Sequence, residues 1–334
     1  MRFMSELRWH PLRQEWVITA THRMDRTYKP PKDFCPLCPT KPGAFPTEVP
    51  AEDYEIVVFQ NKFPSLQPQP PEPDVEGTEL TPVEPAKGEC EVVLYSPRHD
   101  GTLADESVRH IRNLIRVWKD RYQELGSREE IQYVLIFENK GEAVGVTLHH
   151  PHGQIYAFPF IPPVQQHELN ALAAHREKTG RCLICDLVTQ EIVDGRRIVA
   201  ESGHFAAAIP FYARYPYEVH IFAKEHKPSL LALDAQEEWD LARILKLVMV
   251  KYDHLFGFSL PYLMTLHQAP TGGEHEGLGH FRIEFYPPHR SANKLKYLAG
   301  CESGAGSFIN DSAPEAKAEE LRAAGPKTVE EIDD

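Results

Sequence analysis

Two stretches decide the fold: Glu91-Val-Val-Leu-Tyr-Ser-Pro-Arg-His99 and Glu218-Val-His-Ile-Phe-Ala-Lys-Glu-His226. Each reads as a half-buried strand running into a loop that ends on histidine. The same succession follows both. A first amphipathic helix is predicted from about Ala104 to Leu125, with Val108, Ile111, Ile115, Trp118, Tyr122 and Leu125 on one stripe. A second is predicted from Asp234 to Phe256, opened by Asp234-Ala-Gln-Glu237, a capping box with aspartate in place of serine or threonine. Strand-like runs come next, Tyr133 to Phe137 and Tyr262 to Leu266. Last comes a strand led by histidine, His150-Pro-His-Gly-Gln-Ile-Tyr156 in one case and His280-Phe-Arg-Ile-Glu-Phe-Tyr286 in the other. The chain is therefore two copies of one unit.

Upstream of each unit stands a Cys-x-x-Cys pair, Cys35-Pro-Leu-Cys38 and Cys182-Leu-Ile-Cys185, 147 residues apart, whereas His99 and His226 are 127 apart. The 20 surplus residues of the first unit have a home in Pro64 to Glu89, which holds seven prolines and many acids. That stretch reads as an extended surface loop with no core of its own. The join between units falls near Pro162 to Gly180, a Pro-Pro followed by a short polar helix. Ala313 to Asp334 reads as one exposed helix and an acidic end. The expected fold class is α/β of the α+β type. Residues 1–165 and 166–312 form two like halves of a large, mostly antiparallel sheet with helices packed on it, and 313–334 form a tail.

The chain has 334 residues, 42% hydrophobic and 25% charged, the proportions of a globular protein. Its formal charge of −13 supplies no field that would gather nucleic acid or an anionic membrane. A phosphate-bearing substrate needs a local site of named cations instead. The opening residues show no signal-peptide pattern and no run of 18 apolar residues occurs, so a cytoplasmic location is expected.

Six cysteines in such a chain are poor disulfide candidates. One Cys-x-x-Cys could be a redox pair or chance. Two at a regular offset, each followed by spaced histidines, point to metal ligation. Cys35, Cys38, His99 and His150 make a closed Cys2His2 set, the donor pattern of a structural zinc. Cys182, Cys185, His226 and His280 repeat its order and predict a second site. Cys90 and Cys301 read as packing residues.

If 150–154 is extended, His150, His152 and Gln154 point to one face. With His150 assigned to metal, His152 is left for chemistry. A neutral imidazole is a good nucleophile toward phosphorus when a partner on its other nitrogen sets the tautomer. Gly153 is expected to let a phosphate approach the backbone. Gln154 offers an N–H to a phosphoryl oxygen.

These residues carry a resemblance. With Phe137-Glu-Asn-Lys-Gly141 upstream, and His267-Gln-Ala-Pro270 and Phe285-Tyr-Pro-Pro288 downstream, the sequence is similar over nearly its whole length to the galactose-1-phosphate uridylyltransferases of the histidine-triad superfamily. The resemblance implies histidine-triad-like halves, a homodimer, and a ping-pong exchange of UMP between UDP-glucose and galactose 1-phosphate through a uridylyl-histidine at His152. It implies that Asn139 and Gln154 face the phosphates and Asn61 the nucleotide. Arg23 and Arg26 would reach the phosphates across the dimer interface, and Lys296 and Glu302 would face the hexose. Some members bind a second metal through one glutamate and three histidines, at positions matching Glu168, His267, Arg282 and Glu284. Arginine there is a bad neighbour for a cation, so that site should be lost or altered. Arg282 also stands where the second nucleophile would be, so one half catalyses and the other mainly builds. Lys62, Cys301 and Phe308 stand where the family pattern leads one to expect aspartate, tyrosine and glutamine. The alternatives are a nucleotide-sugar phosphorylase of the same fold, or a zinc-stabilised nucleotide-binding module without turnover.

Overall fold

The computed structural model describes residues 5–25, 34–272, 275 and 277–332. Apolar alternation and the helical stripes produce the expected duplication. The first half contributes β1 (Ser5–His10), β2 (Glu15–Ala20), β3 (Val57–Gln60), β4 (Val83–Pro85), β5 (Glu89–Leu94), α1 (Val108–Gly126), β6 (Tyr133–Lys140) and β7 (His152–Phe158). After α2 (Pro163–Thr179) and α3 (Leu183–Asp194), the second half adds β8 (Ile198–Glu201), β9 (Phe205–Ala208), β10 (Val219–Ala223), α4 (Ala235–Leu255), β11 (Tyr262–His267) and β12 (Arg282–Tyr286). The chain ends with the hairpin β13 (His289–Ser291) and β14 (Lys294–Leu295), then α5 (Gly300–Ala305) and α6 (Pro314–Ala323).

Nine strands form one antiparallel sheet in the order β3-β5-β7-β6-β11-β12-β10-β9-β8. Read outward from the β6–β11 seam, the order is the same on both sides: β6, β7, β5, β3 and β11, β12, β10, β9. Only the edge strand β8 lacks a counterpart. The two halves therefore join edge to edge, and each covers an open strand edge of the other.

Helices α1 and α4 lie together on one face. Helix α1 buries Val108, Ile111, Leu114, Ile115, Trp118, Tyr122 and Leu125, which is the predicted stripe with Leu114 added. It begins at Val108 rather than Ala104, because the Ser107 side chain accepts from His110 N and caps the first turn there. The Asp234 box forms as predicted, with Asp234 Oδ1 accepting from Gln236 N and Glu237 N at 2.8 and 2.9 Å, a contribution of about 1 kcal/mol.

Three expectations change. Strands β5 and β10 are buried on both faces, not half-buried. Val92 and Leu94 of β5 pack against Leu37 and Val49, so the segment bearing Cys35 and Cys38 covers the second face. The proline-rich stretch does carry a core of its own. Leu66 is fully buried with Leu7, Ala86 and Cys90, and β4 pairs with β1 in a small sheet β2-β1-β4. The tail helix is docked, not exposed: Ala318 and Leu321 of α6 are fully buried. The buried Lys251 of α4 donates to the carbonyls of Arg322 and Ala324 at 3.0 and 3.2 Å, satisfying groups at the helix end that have no partner within it.

Candidate active site

Strand alternation decides what β7 offers. Ile155 and Ala157 join the helical core, so His152, Gln154 and Tyr156 stand on the opposite, open face. A cavity there is lined by His152 and Gln154 together with Arg23, Asn61, Lys62, Glu48, Phe59, Phe63 and Leu148. An adjoining cavity shares Arg23, His152 and Gln154 and adds Asn139, Thr147 and Tyr156. Five of the residues singled out from sequence thus meet in one place: Arg23, Asn61, Asn139, His152 and Gln154.

The His152 ring is oriented by its own strand. His152 Nδ1 lies 2.7 Å from the His150 carbonyl oxygen. A carbonyl only accepts, so Nδ1 carries a proton, and in a neutral ring Nε2 is the nitrogen that holds the lone pair.

Arg23 lines both cavities within its own chain. Its guanidinium donates to Phe63 O at 3.0 Å and Ser65 Oγ at 2.9 Å. Arg26 lies outside the described residues. Lys296 and Glu302 are not on the His152 cavities of one chain. Lys296 Nζ donates to Glu302 Oε1 at 3.1 Å and to Ile309 O at 2.5 Å, both side chains being buried. Cys90 packs as expected, but Cys301 is exposed, and Phe308 packs against Tyr215 and Arg214.

Gly153 has a different reason to be glycine from the one expected. A Cβ there would point away from the cavity, into the Tyr95 hydroxyl and within 3.1 Å of Phe137 O. Close packing of β7 on Tyr95, not phosphate approach, excludes a side chain.

Cys35, Cys38, His99 and His150 converge, with one donor atom from each lying within 4.8 Å of all the others. Cys38 Sγ is 3.5 Å from His99 Nδ1 and 3.6 Å from His150 Nδ1. A tetrahedral zinc, with Zn–S about 2.3 Å and Zn–N about 2.0–2.1 Å, sets sulfur and nitrogen about 3.5 Å apart. His150 Nε2 donates to Ser96 O at 2.8 Å, so Nδ1 is the nitrogen left to ligate. Burial, then the neighbouring Cys35, pushes the Cys38 thiol up to about 11, and burial lowers His150 to about 4. A bound cation would draw the thiolates out.

Cys182, Cys185, His226 and His280 repeat the arrangement. His280 Nδ1 is 3.5 Å from both sulfurs, and its Nε2 donates to Ala223 O at 2.9 Å. Both donor sets fit a tetrahedral metal.

The third cluster, Glu168, His267 and Glu284, is filled by an arginine. Arg282 donates to Glu168 Oε1 at 2.5 Å and to Glu284 Oε1 at 2.6 Å, and its NH2 is 3.1 Å from His267 Nδ1. The residues present do not fit a metal there.

Sequence reasoning missed Glu48, Phe59, Leu148 and Tyr156 as cavity walls. Strand alternation marks Tyr156, two residues beyond Gln154, whereas the other three are recruited by contacts between distant segments.

With this geometry in place, likeness to known proteins is specific. Residues 2–162 match the family described as galactose-1-phosphate uridyl transferase, N-terminal domain, and residues 167–332 match its C-terminal domain. The chain belongs to the galactose-1-phosphate uridylyltransferase family. A relative from Thermotoga maritima, named galactose-1-phosphate uridylyltransferase, is 41% identical over 96% of this chain and 98% of its own. A solved uridylyltransferase structure superposes with a TM-score of 0.85 at 34% identity, covering 95% of this chain and 97% of the other. An ADP-glucose phosphorylase from Arabidopsis thaliana superposes at 0.72 with 27% identity, covering 96% and 99%. Among the described residues no helix is long and apolar enough to cross a membrane.

Proposed function

We propose that this enzyme exchanges UMP between UDP-glucose and galactose 1-phosphate by double displacement at His152. The observation that carries the reading is the Nδ1 contact to the His150 carbonyl, in a cavity shared with Gln154, Asn139, Asn61 and Arg23. The Nε2 lone pair attacks the α-phosphorus, a P–N bond forms, and the P–O bond to glucose 1-phosphate breaks. The ring becomes cationic, and the Nδ1–H bond to the carbonyl stabilises that charge. A phosphate oxygen of galactose 1-phosphate then attacks the same phosphorus, and the P–N bond breaks to restore neutral imidazole. Gln154 and Asn139 supply amide donors to phosphoryl oxygens and Arg23 a fixed charge. The alternating attack needs no separate general base, because both leaving phosphates depart as anions.

The two Cys2His2 sets are assigned to zinc, a thiolate–imidazole metal whose role here is to hold loops, with neither site touching substrate. The division at 165 and 312 separates a catalysing half, a building half and a tail. The enzyme is assigned to the cytoplasm as a homodimer, which also gives Lys296, Glu302 and Arg26 a role. Lys296 and Glu302, lying off the cavities of their own chain, would act on a neighbour's, and Arg26 is assigned to the phosphates by the resemblance.

Intact-mass measurement tests the chemistry. Enzyme given UDP-glucose gains one uridylyl group, and His152→Gly does not. Release of the group by galactose 1-phosphate supports the transferase. Release by inorganic phosphate alone makes the enzyme a phosphorylase, and no adduct in wild type removes the covalent route.

A further inference from the structure

The second half carries a site that its sheet should have in common with the first. In β12, Ile283 and Phe285 enter the helical core, as Ile155 and Ala157 of β7 do. Arg282 and Glu284 therefore project to the face on which His152 and Gln154 build the cavity. Each strand also begins two residues after a histidine of a Cys2His2 cluster, His150 in one half and His280 in the other. By position, Arg282 replaces the nucleophile and Glu284 replaces Gln154.

Helix α2 closes that face. Leu169 and Leu172 pack with Ile184 and Val188 of α3 over Phe222 of β10. The same helix turns Glu168 down onto Arg282. Around the guanidinium stand Glu168, Glu284 and His267, their donor atoms all within 4.8 Å of one another. His267 Nδ1 is 3.1 Å from Glu168 Oε2, and its Nε2 is 3.4 Å from Glu284 Oε2. Arg282, Glu284 and His267 are each less than a tenth exposed.

Two carboxylates brought this close out of water repel each other and lose hydration, so the arrangement requires a cation between them. Burial alone would raise Glu168, but Arg282 and His267 outweigh it and hold the carboxyl at about 2. Two oxygens and an imidazole are the donor set that hard and borderline divalent ions take. A guanidinium serves the same charges with directed N–H bonds and keeps its proton across the working range. We infer that the Arg282 guanidinium is the resident cation of a cage of Glu168, His267 and Glu284, and that this cage takes a divalent metal ion only when the guanidinium is removed. This particular clamp of α2 to β11 and β12 thereby needs no metal.

Manganese is the suitable probe, because it does not compete for thiolate–imidazole sites and its binding is read directly by electron paramagnetic resonance. Titrated with Mn²⁺, wild type should hold no tightly bound equivalent. Arg282→His, expressed with manganese present, should hold one, and removing His267 from that variant should abolish it. Arg282→Met gives a second reading. It should melt at lower temperature than wild type in metal-free buffer and recover when Mn²⁺ is added, whereas wild type should not shift. Folded Arg282 variants that bind no Mn²⁺ would overturn the inference. So would a wild type that binds one equivalent and loses it in His267→Asn, a comparison that does not depend on any Arg282 variant folding.

Discussion

The carbonyl oxygen of His150 receives the Nδ1–H of His152 at 2.7 Å, while the ring of the same His150 faces the sulfur of Cys38 at 3.6 Å. One residue thus serves the Cys2His2 cluster with its side chain and His152 with its backbone. The second cluster has no such link, because Arg282 stands where a second nucleophile would be held.

This asymmetry separates the metal sites. Replacing Cys182 and Cys185 with serine should halve the zinc content and lower thermal stability, with turnover largely kept in the folded fraction. Replacing Cys35 and Cys38 should halve zinc and stability margin alike but also reduce turnover, because the His150 carbonyl loses its anchor. Metal analysis and kinetics at matched folded fraction read both. Equal loss of activity in the two double variants would mean that the clusters are equivalent.

Gln154 shares the open face of β7 with His152. Gln154→Ala should slow both half-reactions by on the order of 10²–10³, since a lost donor matters most where charge shifts in the transition state. Affinity for UDP-glucose should change far less. Single-turnover rates beside equilibrium binding decide this, and a defect confined to affinity would make Gln154 a recognition residue only.

Gly153→Ala should destabilise the fold by about 1–3 kcal/mol, because the new methyl meets the Tyr95 ring carbon Cζ at 2.9 Å as well as the hydroxyl. Adding Tyr95→Phe should return part of the loss, a coupling of at least about 0.5 kcal/mol by denaturant unfolding. Additive effects would show that the methyl finds room elsewhere.

Glu138 is buried beneath the active strand, where the Tyr262 hydroxyl donates to Oε1 at 3.5 Å and Oε2 has no hydrogen-bond partner among the described residues. Burial raises its carboxyl from 4.5 to about 7, against the opposing pull of Lys140. A raised folded pKa means stability that is present below pH 4.5 and lost as pH rises through about 7. Glu138→Gln should therefore remove a stability decline of up to about 3 kcal/mol across that window and melt higher than wild type at pH 8. Parallel melting curves for the two proteins from pH 4 to 8 would show that the carboxyl is solvated.

The sequence by itself determined the duplication, both Cys2His2 sets and the arginine that stands in the second half where the first has His152. Each of these rests on short-range patterns: strand alternation, helical stripes, a capping box, and ligands placed at fixed offsets from histidine-led strands. The tertiary structure alone decided that Leu66 and α6 are core, that Gly153 answers to Tyr95, and that Glu48, Phe59 and Leu148 wall the cavity. It also decided what Arg282 does, since an arginine out of place in sequence becomes a cation between two carboxylates only when α2 folds back over β12. These outcomes depend on surfaces brought together from distant parts of the chain. Burial is a property of two apposed surfaces, and no local pattern in either of them records its partner.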